Sequence, residues 1–148
     1  MAHRYLHDPA CRKAARTVVA EAIQKYRPSI VLAHSLGSIV AYEVLHDTGL
    51  GLDCLVTLGS PLGLPGAVFD LLEAQSAHGL GSKPPGVGQW VNIADIGDLV
   101  AVPRRLGDRF PVDLHVKLII GSADFHTMAG YLSSGRTFSA LEYFLRGH

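Results

Sequence analysis

The chain has 148 residues, the length of one ordinary domain, and it is long enough to bury roughly 70% of the surface of the unfolded chain. Its apolar fraction of 48%, charged fraction of 18% and formal net charge of zero argue against attraction to nucleic acid or to an anionic membrane. No apolar run reaches the roughly 18 residues of a membrane span, and the charged N-terminus leaves no apolar signal region, so we expect a cytoplasmic protein. The alternative is a signal carried by a segment upstream of Met1.

The first predicted element is a helix that begins after Asp8-Pro9, where an aspartate N-cap precedes proline at the first helical position. Apolar residues recur between Ala14 and Tyr26 at spacings of three and four, and Arg27-Pro28 ends the helix. Residues 29–33 then form an apolar run, which is typical of a parallel strand that is covered on both faces.

The rest of the chain alternates strand and helix patterns. The predicted strands are residues 54–58, 90–93 and 115–120, and the predicted helices are residues 36 to about 46, 67–77 and about 138–146. The connecting segments 62–66 and 78–89 are rich in glycine and proline, which marks them as loops. Since no repeat or boundary interrupts this alternation, we predict a single α/β domain over residues 1–148 with a parallel sheet.

The cysteines and histidines show no metal-ligand spacing. Cys11 falls in a predicted helix and Cys54 in a predicted buried strand, so we expect two free thiols, although a disulfide is compatible with the sequence. The eight histidines are scattered along the chain. We therefore expect no metal site.

Residues 33–37, Ala-His-Ser-Leu-Gly, join the first predicted strand to the next helix. A serine at such a sharp turn is how one large class of enzymes presents a nucleophile. Small residues two before and two after the serine let strand and helix pack closely, and Ala33 stands where glycine is commoner. The alternative is that Ser35 is an ordinary N-cap.

Polar side chains follow the end of each predicted strand. Ser35 follows the first strand and Ser60 the second, two aspartates follow the third, and Asp124 and His126 follow the fourth. In a parallel sheet, reactive groups gather at the carboxyl ends of the strands. The chain order of serine, acid and histidine is that of the α/β-hydrolase triad, and it differs from the order in chymotrypsin-like and subtilisin-like enzymes.

Four segments together resemble the C-terminal part of an α/β-hydrolase of the serine esterase or lipase type. They are the elbow at 32–38, the segment 58–63, the acid-bearing segment 90–101 and the histidine loop at 124–126 with Tyr131-Leu132. They come in the order of the family and span nearly the whole chain. The fold that this resemblance implies is a truncated α/β-hydrolase-like parallel sheet of about four strands with flanking helices.

The resemblance implies a role for four residues. Ser35 attacks an ester carbonyl, His126 takes its proton and returns it to the leaving group, and Asp98 orients the imidazole. The N–H of Leu36 donates to the oxyanion at the start of a helix. Asp95 is a rival for the acid, but we prefer Asp98 because it precedes the Leu-Val pair, and Asp95 is then the cap of a turn.

Neighbouring residues are expected near the substrate, and each has an alternative. His34 can instead bond to the nearby backbone, and Ser60 can form a strand-end turn. Leu62 and Phe125 can line an acyl pocket or pack in the core. Asp124 either supports the histidine loop or forms a turn.

The family fold has eight strands, and this chain has no room for the first four. The loop after the third strand, which supplies the second oxyanion N–H, is therefore missing. The loss of one such donor lowers the rate roughly a hundred- to a thousandfold. A substitute is expected from residues 1–8, from the 59–66 loop or from another subunit.

The serine strand, Ser29–Ala33, also loses its neighbour on one side and becomes an exposed apolar edge, which soluble proteins avoid. We expect this edge to pair with something. A symmetric homodimer is the simplest solution, and a lost N-terminal domain or a separate protein is the alternative.

These expectations lead to a serine hydrolase that cleaves small carboxylic esters through an acyl-enzyme and requires no cofactor. Short acyl chains are expected because no lid segment is evident, and a peptidase or a thioesterase is compatible with the same triad. The alternatives are a weakly active or non-catalytic binding or assembly module that keeps the fold, and a fragment of a longer hydrolase.

Overall fold

The computed structural model describes residues 2–74, 79–103, 105–121 and 125–146. One sheet contains four parallel strands in the order β1 (Ile30–His34), β2 (Leu52–Leu58), β3 (Val87–Asp95) and β4 (Leu114–Leu118). The helices are α1 (Ala2–His7), α2 (Pro9–Tyr26), α3 (Leu36–Thr48), α4 (Met128–Ser133) and α5 (Gly135–Leu145). The predicted α/β class, with about four parallel strands and flanking helices, is confirmed.

Helix α2 begins where the sequence predicted. Oδ1 of Asp8 accepts hydrogen bonds from the N–H groups of Ala10 (3.0 Å) and Cys11 (3.1 Å), which would otherwise lack partners in the first turn. The short helix α1, which was not predicted, precedes this cap. Tyr5 anchors α1 because its hydroxyl donates to Glu43 of α3 (2.6 Å), and both side chains are buried.

Helices cover both faces of the sheet, and the side chains of β2 alternate between them. Leu55 belongs to a core cluster with Ile39 and other residues of α1, α2 and α3. Val56 and Leu58 belong to a second cluster, which includes Leu141 of α5. Since successive side chains of a strand point to opposite faces, this alternation explains why β2 is apolar almost throughout.

The predicted helix 67–77 is wrong. Within residues 67–74 the chain forms only a three-residue 3₁₀ turn, Phe69–Leu71, and residues 75–78 lie outside the described residues. Val68 and Phe69 are buried in the core, and Arg12 donates to the carbonyl of Leu71 (3.0 Å). That carbonyl is therefore engaged by a side chain instead of a helical N–H.

The boundaries of the strands and of the last helix also differ from prediction. Strand β3 begins at Val87, inside the predicted loop. Gly88 can belong to the strand because it has no Cβ, and a Cβ there would lie 2.8 Å from the carbonyl oxygen of Asp53 in β2. Strand β4 ends at Leu118, and the N–H of Ile120 donates to the carboxylate of Asp95 instead of to a backbone carbonyl of a neighbouring strand. Helices α4 and α5 begin before the predicted last helix.

Strand β1 lies at an edge of the sheet, as expected for the serine strand. It pairs with β2 from Ile30, opposite Cys54, to His34, opposite Leu58. Leu32, in the middle of β1, is 38% exposed. Among the helices of the described ranges, none is long and apolar enough to cross a membrane.

Candidate active site

Ser35 lies at the turn between β1 and α3 with φ +51° and ψ −125°, a backbone conformation that residues with side chains rarely adopt. Its N–H donates to the carbonyl of Leu58 at the end of β2 (3.0 Å). Its carbonyl accepts from the N–H (3.0 Å) and the hydroxyl (2.6 Å) of Ser38. These bonds hold the strained turn from both sides, so the position of the serine is fixed by its surroundings.

Gly37 does not have the steric role that the motif predicted. A Cβ at this position would meet no atom of the described residues within 4 Å, and the residue is exposed, whereas Ala33 on the other side of the turn is buried. Because β1 is the edge of the sheet described here, no further strand packs beside the start of α3. The prediction that a side chain at position 37 would clash is therefore wrong.

His126 lies between Ser35 and Asp98. Its Nε2 is 2.9 Å from Oγ of Ser35, and its Nδ1 is 2.8 Å from Oδ2 of Asp98. The three side chains come from the segments that follow β1, β3 and β4, so the carboxyl ends of three parallel strands bring them together. With a proton on Nδ1 donated to the carboxylate, Nε2 can accept the proton of the serine hydroxyl.

Asp98 is fully buried, and both of its oxygens accept hydrogen bonds. Oδ1 accepts from the N–H groups of Val100 (2.9 Å) and Ala101 (3.3 Å), while Oδ2 accepts from Tyr131 (2.7 Å) and pairs with His126. Burial raises the pKa of Asp98, but the hydrogen bonds outweigh it and hold the pKa below its ordinary value. The carboxylate is therefore ionised at neutral pH and can stabilise an imidazolium.

Asp95 has different contacts, although it lies only three residues away. Its Oδ1 accepts from the N–H of Gly97 (2.7 Å), and its Oδ2 accepts from the N–H of Ile120 (2.5 Å) after β4. Both oxygens thus bind backbone groups and fix the turn after β3 to the end of β4. These are the contacts of a turn cap, which was the alternative for this residue.

Tyr131 of α4 has a role that the sequence reasoning missed. Its hydroxyl donates to Asp98 and accepts from the N–H of Asp95 (3.0 Å). Burial raises the pKa of Tyr131, so the hydroxyl stays protonated and remains a donor. Gly59 makes room for this pair, since a Cβ there would lie 2.7 Å from Oδ2 of Asp98. The only signal in the sequence was a tyrosine five residues after His126.

Leu36 begins α3, so its N–H has no partner within the helix and lies at the positive end of the helix dipole. The segments 1–8 and 59–66, from which a second oxyanion donor was expected, both border the cavity beside Ser35. They contribute His3, His7 and Pro61 among other residues. Proline has no N–H, so Pro61 itself is not a donor.

His34 lies against the site from β1. Its ring centroid is 5.0 Å from that of His126 and 5.8 Å from that of Tyr131, and its Nε2 is buried without a hydrogen-bond partner among the described residues. Burial, with the neighbouring imidazole of His126 adding to it, lowers the pKa of His34. Burial likewise lowers the pKa of His46 and His115. We call these three residues the half-buried histidines.

The other expected substrate contacts take different places. Ser60 is buried, with its hydroxyl 2.7 Å from that of Ser38 and accepting from the N–H of Leu62 (3.3 Å), so it forms the strand-end turn. Leu62 has no exposed surface and packs in the core, which corrects the expectation that it contacts substrate. Phe125 is half-buried and is not among the described residues that line the cavity. Asp124 lies outside the described residues.

A cavity of about 480 Å³ opens at Ser35, between α1, the start of α3 and the segment after β2. Twelve of the described residues line it, and among these twelve only Ser35, His3 and His7 have polar side chains. Another cavity, of about 490 Å³, borders α1, α2 and α3 away from Ser35. Its arginines pair with acidic side chains, so we assign it no chemistry. Within the described ranges, no three His, Cys, Asp or Glu side chains are placed to hold a metal ion.

Comparisons with known proteins support the fold. No protein-family model matches the chain, and no curated protein sequence matches it. The chain is similar to a crystal structure of a novel pyrethroid hydrolase, PytH, with BIF, with a TM-score of 0.51 and 18% identity. The match covers 88% of this chain and 76% of that chain. At this identity the likeness shows a hydrolase-like fold alone.

Proposed function

We propose that the protein is a serine hydrolase that cleaves carboxylic esters. The observation that carries the proposal is the position of His126, 2.9 Å from Oγ of Ser35 and 2.8 Å from the buried carboxylate of Asp98. The strained backbone of Ser35 supports it further, since such conformations cluster at functional sites. The structural neighbour is itself named a hydrolase, which agrees with this class of reaction.

In the proposed mechanism, Oγ of Ser35 attacks the ester carbonyl carbon while its proton passes to Nε2 of His126. The carbonyl oxygen becomes an oxyanion that accepts a hydrogen bond from the N–H of Leu36. The intermediate collapses, the bond to the leaving alcohol breaks, and His126 gives its proton to the alcohol oxygen. Water then attacks the acyl-enzyme with the same proton transfers, while the ionised Asp98 stabilises the imidazolium in both steps.

A weakly active or non-catalytic binding module is the second candidate. The position of Leu36 at the start of α3 supports its N–H as one oxyanion donor. The α/β-hydrolase loop that supplies the second donor has no counterpart among the four strands described here. The absence of one donor lowers the rate roughly a hundred- to a thousandfold. We propose that residues 1–8 or 59–66 supply the second donor, because both segments border the cavity at Ser35.

We also propose that β1 pairs with β1 of a second copy. The carbonyl of Ser29 and the N–H of Ser35 bond to β2, so by the alternation of a parallel strand the peptide groups of Ile30, Leu32 and His34 face away from it. A twofold axis beside β1 would pair these groups antiparallel with their own copies. The alternative occupants are a domain preceding this chain and a separate protein.

A fluorophosphonate probe tests the proposed nucleophile. We expect the probe to label the unmodified protein and a Ser139→Ala control, whose serine is exposed on α5, and not to label Ser35→Ala. Turnover of p-nitrophenyl acetate should be lost in the same variant. Turnover that persists in Ser35→Ala would be histidine-mediated background and would favour the binding module.

A further inference from the structure

The cavity at Ser35 is much larger than a short acyl group needs. Its volume of about 480 Å³ lies within the range of roughly 300–1,000 Å³ that is typical of small-molecule sites. Since a water molecule occupies about 30 Å³ of the liquid, the cavity has room for about sixteen groups of that size. An acetyl group would fill only a small part of this space.

The lining of the cavity is apolar beyond the serine. Leu6, Leu64, Val68, Leu71 and Val100 contribute to its walls. Among the described lining residues, the two polar side chains other than the serine both belong to exposed histidines of α1. Water inside would therefore find few partners along most of the surface, whereas an apolar chain would lose its own unfavourable contact with water.

Helix α1 forms one wall and is firmly attached. Tyr5, which is 1% exposed, donates to Glu43 of α3, and Arg12 of α2 also binds this carboxylate. Leu6, the next residue of α1, faces the cavity. The expectation of short acyl chains depended on the lack of a lid segment, whereas residues of α1 form one wall of this cavity.

We propose that this cavity binds an apolar chain of about eight carbon atoms, so that the substrate is a medium-chain ester whose carbonyl lies at Ser35. The proposal rests on the proposed function, because the serine is what joins the cavity to the chemistry. Each buried methylene group favours binding by up to about fourfold. From two to eight carbons, partial burial of six methylene groups gives a gain of roughly a hundredfold.

A series of p-nitrophenyl esters tests the proposal on the unmodified protein. We expect kcat/KM to rise roughly a hundredfold from the acetate to the octanoate, because the longer chain buries more methylene groups in the cavity. A parallel series of alkyl acetates shows whether the chain belongs to the acid or to the alcohol. A kcat/KM that stays level or falls from two to eight carbons in both series would overturn the proposal and leave the proposed function standing.

A filling variant tests the location. Ala67 lines the cavity and its side chain is exposed, so Ala67→Phe should place a ring in the cavity without disturbing the core. We expect it to lower the ratio of octanoate to acetate turnover at least tenfold, whereas Ala14→Phe, on the exposed surface of α2, should leave the ratio unchanged. Equal ratios in both variants would show that the chain binds elsewhere.

Binding without chemistry separates the two proposals. In Ser35→Ala we expect calorimetry to show binding of p-nitrophenyl octanoate at least tenfold tighter than of the acetate, with the difference reduced by a second change at Ala67. Such binding, together with an unmodified protein that turns over neither ester, would overturn the proposed function and keep the cavity. No preference for the octanoate would overturn the cavity proposal.

Discussion

Asp98 and Asp95 offer a matched pair of carboxylates with different expected roles. Replacing either by asparagine keeps the size of the side chain and removes its charge. Asp98 faces the imidazole of His126, whereas Asp95 holds the N–H groups of Gly97 and Ile120. One variant should therefore damage chemistry and the other should damage stability.

The expected magnitudes differ by orders of magnitude. In serine proteases, replacing the triad aspartate by asparagine lowers kcat about 10⁴-fold. This loss corresponds to a rise of about 5 kcal/mol in the activation free energy. In Asp95→Asn, one of two buried hydrogen bonds is lost and an NH₂ group meets a backbone donor. This should cost about 1–3 kcal/mol of unfolding free energy with little change in kcat while the protein stays folded.

The assay is ester turnover at a temperature at which urea denaturation shows both variants to be folded. Asp98→Asn also weakens the bonds to Val100 and Ala101, so its unfolding free energy must be measured as well. Equal losses of kcat in the two variants, or a larger loss in Asp95→Asn, would refute the assignment of the acid.

Tyr131→Phe removes a donor to the buried Asp98, so we expect the pKa of that carboxyl to rise and kcat/KM to fall about tenfold; NMR titration that finds the pKa unchanged would contradict this role. Gly37→Ala should raise the unfolding free energy by about 0.5–1 kcal/mol, since no atom of the described residues lies within 4 Å of the added carbon, and urea denaturation that shows a loss would contradict this. For the half-buried histidines the unfolded chain binds more protons than the folded chain. Their contribution to the unfolding free energy is therefore fully present above about pH 6.5, and it is lost as the pH drops from there through their lowered folded pKa values. Urea denaturation at pH 7.5 and 5.5 measures that fall, and equal stability would contradict it. Light scattering should find a dimer at micromolar concentration and a monomer for Leu32→Lys, whereas a stable monomer of the unmodified chain would refute pairing through β1.

The features that the sequence predicted well depend on a few consecutive residues. The cap at Asp8 is one example, because an aspartate before proline favours one local structure in almost any context. The strand-turn-helix at Ser35 is another, since its apolar strand, serine and helical pattern are contiguous. The preference for Asp98 over Asp95 came from a family resemblance instead of a local pattern, because contacts with residues far along the chain distinguish the two.

The features that were missed depend on contacts between distant segments. Helices α1 and α4 have six residues each, which is too short for a periodic pattern to predict them. Gly88 reads as a loop residue, although the close approach of β2 requires it within a strand. Tyr131 binds a carboxylate 33 residues away, and no spacing rule indicates such a contact.

The central claim is that Ser35 carries the acyl group during turnover. The most direct test is to quench the unmodified protein in acid during turnover of p-nitrophenyl octanoate and to analyse its peptides by mass spectrometry. We predict one acyl group on the peptide that contains Ser35, and none in the Ser35→Ala variant. An acyl group on a histidine, or continued turnover with Ser35 unmodified throughout, would contradict the account.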